Sequence, residues 1–491
     1  MSVSGGIRQG VVLAWIAAIS ITGGAHARDW ADLATTPWVD PLLASPPQIQ
    51  AGKTLPDDVQ VPACDGGGHG YDRPLTLSDA VDLALCHNPQ VQSAWAAIKV
   101  QAAQVGEARA AYLPTVSVGM SRLDQKTRYP ESQFAVTSER SSESRYATLT
   151  WRLLDFGGRG ANRRLADALL EAALASHDAA LQRTLANVIG AYFDAQTAKA
   201  NRESKDKSAA LAQRIWETAR KREARGAGAQ SDTLQAMTAM AKAELDSGRA
   251  LGAYEKSLAA LVVALGLPAS APGVQGLVLA PDYVDAEQTL RQDLASWLAL
   301  AQDQHPALVA ARAQLASARE RLTAVRSEGL PTLDFTQSHY LNGRPNQGLS
   351  ATQSKESVVG FTVNFPLFEG FARTYKVRGA QAQIEVKAAE LRDIRNQVLG
   401  DVLKAHADAT AALRNLESSR RLIEAAQAAL ENVRRKYDRG IVDILDMLSV
   451  QAALADAEQE RVRAFAEWRS ARLRLLANAG TVGLKDVRGK R

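Results

Sequence analysis

Aromatic residues and long apolar runs are scarce in this chain, and charges of the two signs nearly balance. Only 5% of the 491 residues are aromatic, a composition typical of long packed helices rather than of several compact domains. No stretch after the N-terminal region offers about 18 consecutive apolar residues, so the sequence predicts no transmembrane helix. The formal net charge of +5 is too small for this length to indicate a nucleic-acid partner.

Residues 1–27 predict a secretory signal that is removed from the mature protein. Arg8 is their only charge, an apolar core runs from Val11 to Thr22, and Ala25-His26-Ala27 fits a cleavage site. A membrane anchor is the alternative, but the apolar core is too short to span a bilayer. Arg28, not cysteine, follows the predicted cut, so we expect no lipid on the mature N terminus. Such an exported chain can enter a membrane only through strands.

The chain has two cysteines, Cys64 and Cys86, which lie 22 residues apart. Export to an oxidising compartment favours a disulfide between them. That bond would attach an extended, proline-rich arm (28–74) to the first helix. Two unpaired buried thiols are the alternative.

The proline-free stretch from Phe371 to Arg439 predicts a helix of roughly 100 Å, at ~1.5 Å per residue. Two adjacent rows of residues spaced by seven run along it, one mostly large and one mostly small. They are Val402, Ala409, Leu416, Ile423, Leu430 and Tyr437, and Val398, Ala405, Ala412, Ser419, Ala426 and Val433. A return helix continues the seam, with polar exceptions at Gln459 and Arg469, through Leu445, Leu448, Ala452, Ala455, Val462, Ala466, Leu473 and Leu476. This coiled-coil pattern predicts a helical tube or stalk.

Two segments alternate apolar and polar residues with the period of a strand. The first holds Val116, Val118 and Met120, and the second holds Ala147, Leu149, Trp151 and Leu153. A polar loop is predicted between them, at about 126–142. The alternation fits either a soluble sheet with one wet face or a membrane barrel with lipid outside and water inside.

The second half of the chain repeats the first at a nearly constant offset. Asn88-Pro89 returns as His305-Pro306 after 217 residues, and Asp232 returns as Asp446 after 214. The predicted division is a signal (1–27), an arm (28–74), a first repeat (75–266), a linker (267–286), a second repeat (287–480) and a tail (481–491). Each repeat holds a strand pair and a helical hairpin, with strands at about 115–153 and 332–366 and hairpin tips at about 225–232 and 439–446.

Four strands per chain are too few to close a membrane barrel, because single-chain barrels need at least about eight. Two chains of four strands would give eight and a filled interior, whereas three would give twelve and leave a pore. The polar residues on one strand face favour the pore. The predicted fold is therefore mainly α with a small membrane β-barrel, in which long antiparallel coiled-coil helices continue four strands per chain.

Several of these segments together resemble the TolC family of trimeric outer-membrane channels. They are Leu75 to Pro89, Tyr112 to Pro114, the strand-to-helix junctions Leu154 to Gly158 and Phe368 to Gly370, and the turn from Tyr437 to Asp446. The resemblance covers about 75–480 and implies a 12-stranded barrel from three chains, continuous with a periplasmic helical tunnel. It also implies a passive channel that works with an inner-membrane ABC transporter and a periplasmic adaptor (membrane fusion) protein.

Within the family the chain resembles the channels that export protein toxins, so it is predicted to serve a type I secretion system with a secreted protein as cargo. The absence of a lipid-acceptor cysteine favours this interpretation, because many drug-efflux relatives are acylated. An outer-membrane channel for drug or metal efflux is the alternative. A periplasmic coiled-coil scaffold is a third class, but it would have no use for Trp151, Phe361 and Phe365 on one strand face.

The turn of the second hairpin carries the main candidate site. Asp443 and Asp446 are three residues apart and share a helix face, so three chains would place two rings of carboxylates across the tunnel mouth. Crowded carboxylates attract cations and make a mouth cation-selective, and the family's entrance aspartates fall on this motif. Capping of a helix N terminus is the alternative role for both residues.

The resemblance further implies a bond between Tyr437 and Asp232 that holds the tunnel mouth closed. The family's gating arginine, expected between the glycine and the Ile-Val-Asp motif, has no counterpart. Arg439 precedes Gly440 instead, and whether it replaces the missing arginine is open at this point.

Catalytic chemistry has little support in the sequence. The six histidines outside the signal show no metal-ligand spacing, and neither a phosphate-binding loop nor a nucleophile elbow occurs. We therefore predict a non-enzyme with no metal or other cofactor.

Overall fold

The structure is a computed structural model that describes residues 74–129, 136–226, 228–268, 277–280, 290, 292–344, 354–439, 441–442 and 444–482. The predicted signal and nearly all of the predicted arm lie outside this range. The first half contains α1 (Leu77–His87), α2 (Pro89–Ala110), β1 (Thr115–Tyr129), β2 (Val136–Leu154), α3 (Gly158–Ala224) and α4 (Gln230–Leu265). The second half contains α5 (Leu294–Gln304), α6 (Pro306–Ser327), β3 (Thr332–Leu341), β4 (Lys355–Asn364), α7 (Ala372–Asp438) and α8 (Ile444–Asn478). Both halves thus follow the same order of elements, and the mainly helical fold class with four strands per chain is confirmed.

The four strands form one antiparallel sheet in the order β1-β2-β3-β4. The first hairpin is the longer, with strands of 15 and 19 residues against 10 and 10 in the second. The polar loop predicted at about 126–142 is therefore wrong, because β1 continues to Tyr129 and β2 begins at Val136. Cross-strand pairs such as Lys126 with Glu139 stabilise this part of the ladder. Polar side chains occupy both faces of this outer part of the hairpin, so its sequence lacks the alternation of apolar and polar residues that predicts a strand.

The strand register sorts apolar and polar side chains onto opposite faces of the sheet. Trp151 pairs with Phe335, which pairs with Phe361, and the last two rings lie 5.3 Å apart. This apolar sheet face also carries Val116, Val118, Met120, Val359 and Val363, each at least 60% exposed. On the polar sheet face, Arg152 donates from Nε to Asp334 Oδ1 at 2.9 Å. The predicted alternation of the strands is confirmed.

The long helices pack side by side in one layer. Next to the sheet, α3 packs against α2 and α6, and α6 packs against α7. Beyond these short helices, α3 packs against α4 and α8, and α8 packs against α7. Thus α2 and α4 lie one after the other along one side of α3, and α6 and α8 lie one after the other between α3 and α7. Within the described residues, no helix is both long and apolar enough to cross a membrane.

The short helices meet the return helices end to end at two glycines. Gly266, with φ +74°, ends α4 directly against Asn88, which caps α2. Gly480, with φ +77°, lies after α8 directly against His305, which caps α6. The absence of a Cβ lets each chain segment turn left-handed and approach the neighbouring backbone closely.

The buried seam of α8 differs from the predicted one. Ala452 and Val462 are exposed, whereas Trp468 and Leu475 are buried in the cluster shared with α7. Of the predicted row, Ala466 and Leu473 pack instead in the cluster shared with α3 and α1. The prediction is wrong because α8 lies between two helices and has two apolar rows, and spacing alone does not say which row faces α7.

Candidate functional site

The tip of the second hairpin carries the predicted acidic site. Asp446 lies in the first turn of α8 and is exposed, whereas Asp443 lies outside the described residues. The preceding turn is closed by backbone bonds, since Ile441 N donates to Lys436 O at 2.9 Å and Arg439 N donates to the same oxygen at 3.2 Å. The role of the two aspartates stays a prediction, because a ring of carboxylates needs further copies of the chain.

The tip of the first hairpin carries the partner predicted for Tyr437. Asp232 is exposed in the first turn of α4, and Ser231 Oγ donates to its Oδ1 at 3.3 Å. Tyr437 lies in the last turn of α7, and its side chain lies outside the described residues. The two residues belong to different hairpins, so a bond between them would tie the two tips together. That bond stays a prediction.

The first strand-to-helix junction is fixed by Arg159, a residue for which no role was predicted. Its backbone N and its Nε donate to Asp155 Oδ2 at 2.6 and 3.2 Å. Its Nη1 and Nη2 donate to the carbonyl oxygens of Arg152 and Leu153 at 2.6 and 3.1 Å. The guanidinium also lies over the Tyr112 ring, 4.9 Å from its centre. One side chain therefore joins the end of β2 to the start of α3.

A polar cleft of about 670 Å³ lies between α3, α7 and α8. Its charged lining comes from all three helices: Asp194, Asp401, Lys404, Asp408, Glu467 and Arg474. This surface was not predicted, although Asp401, Lys404 and Asp408 recur at helical spacing along α7. Such a surface favours water and mobile ions over apolar ligands, as expected for the wall of an aqueous passage.

Cys86, in the last turn of α1, is disulfide-bonded. Cys64 lies outside the described residues, so the pairing of Cys64 with Cys86 stays a prediction. Across the part of the chain that the structure describes, no three His, Cys, Asp or Glu side chains are placed to hold a metal ion.

A sheet with one exposed apolar face, continued by two hairpins of long helices and a polar cleft, defines a class of protein: a membrane channel subunit. The chain belongs to the outer membrane efflux protein family, whose model matches residues 80–267 and 297–481. The resemblance to TolC-like channels is thereby confirmed, and the protein is an outer-membrane protein.

Known proteins resemble this chain over most of its length. It is 34% identical to protein CyaE of Bordetella pertussis, over 96% of this chain and 94% of that protein. It is 24% identical to the alkaline protease secretion protein AprF of Pseudomonas aeruginosa, over 84% and 86%. The solved outer-membrane channel CmeC of Campylobacter jejuni covers 82% of this chain and 85% of its own, with a TM-score of 0.70 at 16% identity. At that identity the likeness shows the fold alone.

Proposed function

We propose that this protein is the outer-membrane channel of a type I secretion system, through which a secreted protein, expected to be a toxin, leaves the cell passively. The observation that carries the proposal is the near full-length similarity to CyaE and to a relative named for protease secretion. An inner-membrane ABC transporter and a periplasmic adaptor protein would select and deliver the cargo. The protein itself would perform no chemistry, in keeping with a family of channel proteins.

The sheet supports assembly as a homotrimer in the outer membrane. Among the described strands, β1 and β4 each have one unpaired edge, and an exposed edge recruits another strand. Pairing β1 of one chain with β4 of the next would close three sheets into a 12-stranded barrel. The apolar sheet face would then contact lipid, and the polar sheet face would line the pore. Heat-sensitive trimer migration on gels, lost on boiling, is the expected result.

At the other end of the assembly, Asp443 and Asp446 would form two acidic rings that favour cations. The double variant Asp443→Asn/Asp446→Asn should lower cation selectivity and weaken block by multivalent cations in planar bilayers. Glu244→Gln, an exposed carboxylate change on α4, is the control and should leave both unchanged. Equal block of the native protein, the double variant and the control by multivalent cations would refute the acidic rings.

The Tyr437–Asp232 bond would hold the mouth closed. Tyr437→Phe keeps the ring and removes the hydroxyl, so it should raise the resting conductance of single channels. Asp232→Asn should do the same, and the double variant should add little to either because both single changes remove one bond. Resting conductance that stays at the native level in Tyr437→Phe would contradict the bond.

The function itself is tested on a deletion strain. Its culture supernatant is compared with the parent's by protein mass spectrometry, and the drug and bile-salt tolerance of both strains is measured. Loss of a large secreted protein with unchanged tolerance is expected. An unchanged supernatant with a sharp fall in tolerance would instead establish the second candidate, a drug or metal efflux channel, which the family description favours.

A further inference from the structure

The apolar sheet face ends in basic side chains on the side away from the helices. The cross-strand register places four residues side by side on this face: Met120, Arg145, Leu341 and Lys355. One step further out, Arg122 pairs with Glu143. We call Arg122, Arg145 and Lys355 the basic rim. All four strands join helices at their opposite ends, so the rim lies at the far end of β3 and β4, and the β1–β2 hairpin continues beyond it.

The basic rim is exposed and carries excess positive charge. The side chains of Arg122 and Arg145 are 70% and 64% exposed. Arg145 donates from Nε and Nη2 to Glu143 Oε1, at 2.9 and 2.7 Å, which uses two of its five N–H groups. Arg122 Nε lies 3.5 Å from Asp124 Oδ2. The three cations of the rim therefore face two carboxylates, Glu143 and Asp124, and a net charge of +1 remains where the apolar surface stops.

The polar sheet face differs at the same level. There Arg344 is matched by Glu356, which accepts from Nη2 at 2.5 Å and from Nε at 3.2 Å. The same guanidinium lies 5.8 Å from the centre of the Tyr340 ring. The cation is thus neutralised on this face, and the excess charge belongs to the side that carries the apolar surface.

We propose that the basic rim binds the phosphate groups of lipids in the outer leaflet of the outer membrane. The inference rests on the proposed channel assembly, in which the apolar sheet face contacts acyl chains. Cations directly beyond an apolar surface lie at the depth of lipid head groups, where each contributes about fivefold to association with an anionic surface. Arg145 and Lys355 flank Leu341 on neighbouring strands, about 10 Å apart. They are therefore placed to contact two different phosphates, while Met120 and Leu341 contact the chains below.

The test measures lipid selectivity around the assembled channel. The full chain is reconstituted in phosphatidylcholine vesicles with spin-labelled phosphatidic acid or spin-labelled phosphatidylcholine, and electron paramagnetic resonance gives their relative association. The variant is Arg145→Gln/Lys355→Gln. The matched control is Lys207→Gln/Lys221→Gln, which removes the same charge from exposed positions on α3. Lys355→Gln alone serves if the double variant fails to assemble.

The native channel is expected to prefer phosphatidic acid. The rim variant should lose most of that preference, Lys355→Gln about half of it, and the control none. The proposal is overturned if the native channel shows no preference, or if the rim variant and the control lose it equally. A native chain that enters neither kind of vesicle would instead refute the channel assembly on which the rim depends.

Discussion

The two repeats close the same two junctions with different side chains. Where strand meets helix, Arg159 and Asp155 form a pair in which each side chain is 14% exposed. The corresponding pair in the second repeat, Arg373 and Glu369, lies 3.4 Å apart and is 33% and 41% exposed.

The end-to-end helix junctions also have the stronger contacts in the first repeat. Asn88 Oδ1 accepts from Gln90 N at 2.9 Å, and its Nδ2 donates to Ala264 O at 3.1 Å. His305 makes the equivalent cap alone, accepting from Ala307 N at Nδ1 at 3.2 Å. The first repeat is thus held by a more buried ion pair and an amide cap with two bonds, and the second by a more exposed ion pair and an imidazole cap with one bond. The second hairpin, which carries the predicted acidic tip, is the less firmly held of the two.

The largest difference in stability between the two repeats is expected from the arginines at the strand-to-helix junctions. Arg159→Ala should lower the free energy of unfolding by about 3 kcal/mol, because it leaves the Asp155 carboxylate buried without its cation. Arg373→Ala, at a more exposed pair, should cost about 1 kcal/mol or less. Thermal denaturation of the detergent-solubilised protein measures both. Equal costs would show that burial does not distinguish the two junctions.

The next largest difference in the free energy of unfolding is expected from the glycines at the two end-to-end helix junctions. An alanine Cβ at Gly266 would lie 2.6 Å from Asn88 Cα and 3.0 Å from His87 O. At Gly480 the closest atom is Pro306 Cδ, at 2.9 Å. With the left-handed backbone added, Gly266→Ala should cost about 3 kcal/mol and Gly480→Ala about 2 kcal/mol. Gly248→Ala, in open space within α4, should be neutral or slightly stabilising. A larger loss at Gly480 than at Gly266 would reverse the comparison.

These junctions also show what the sequence could and could not predict. The prolines after Asn88 and His305 and the glycines after the return helices marked the helix ends that meet at the two end-to-end junctions, because these residues have strong backbone preferences. The side chains that fix the junctions were missed. Arg159 and the polar cleft depend on distances between elements remote in sequence, which spacing along one element does not encode.

The same limit applies to the candidate site. The acidic tip was predicted from the spacing of its two aspartates together with the family resemblance, and Asp232 was predicted as the partner of Tyr437 from that resemblance. Their assembly into rings depends on copies of the chain, so neither the sequence nor one chain's fold specifies it. The prediction for the buried row of α8 was wrong for a related reason. The helix has two apolar rows with the same spacing, and only its packing against neighbouring helices shows which row faces α7.

A smaller difference in the free energy of unfolding is expected from the two helix caps, Asn88 and His305. Asn88→Ala removes both a cap and the bond to Ala264 O, so it should lower the free energy of unfolding by about 2 kcal/mol. His305→Ala removes one bond and should cost about 1 kcal/mol. The apparent Tm of the purified protein gives the ranking. Because Asn88→Asp keeps the accepting oxygen and loses the donor, it should fall between Asn88→Ala and the native protein.

The smallest effect is a pH dependence that only the second junction should show. Burial lowers the pKa of His305, although Asp401 opposes the shift. The folded state therefore prefers neutral imidazole, which is also the form whose Nδ1 can accept from Ala307 N. The unfolded chain takes up the proton first, so stability is complete above the ordinary pKa of about 6.5 and declines as the pH falls below it.

His305→Asn gives the second junction the cap of the first, so the fall in apparent Tm between about pH 8 and pH 5 should become smaller than in the native protein. His87→Asn changes an exposed histidine at the end of α1 and should leave the native pH dependence in place. If His305→Asn loses stability in acid as steeply as the native protein, the titrating group lies elsewhere and the two caps are equivalent.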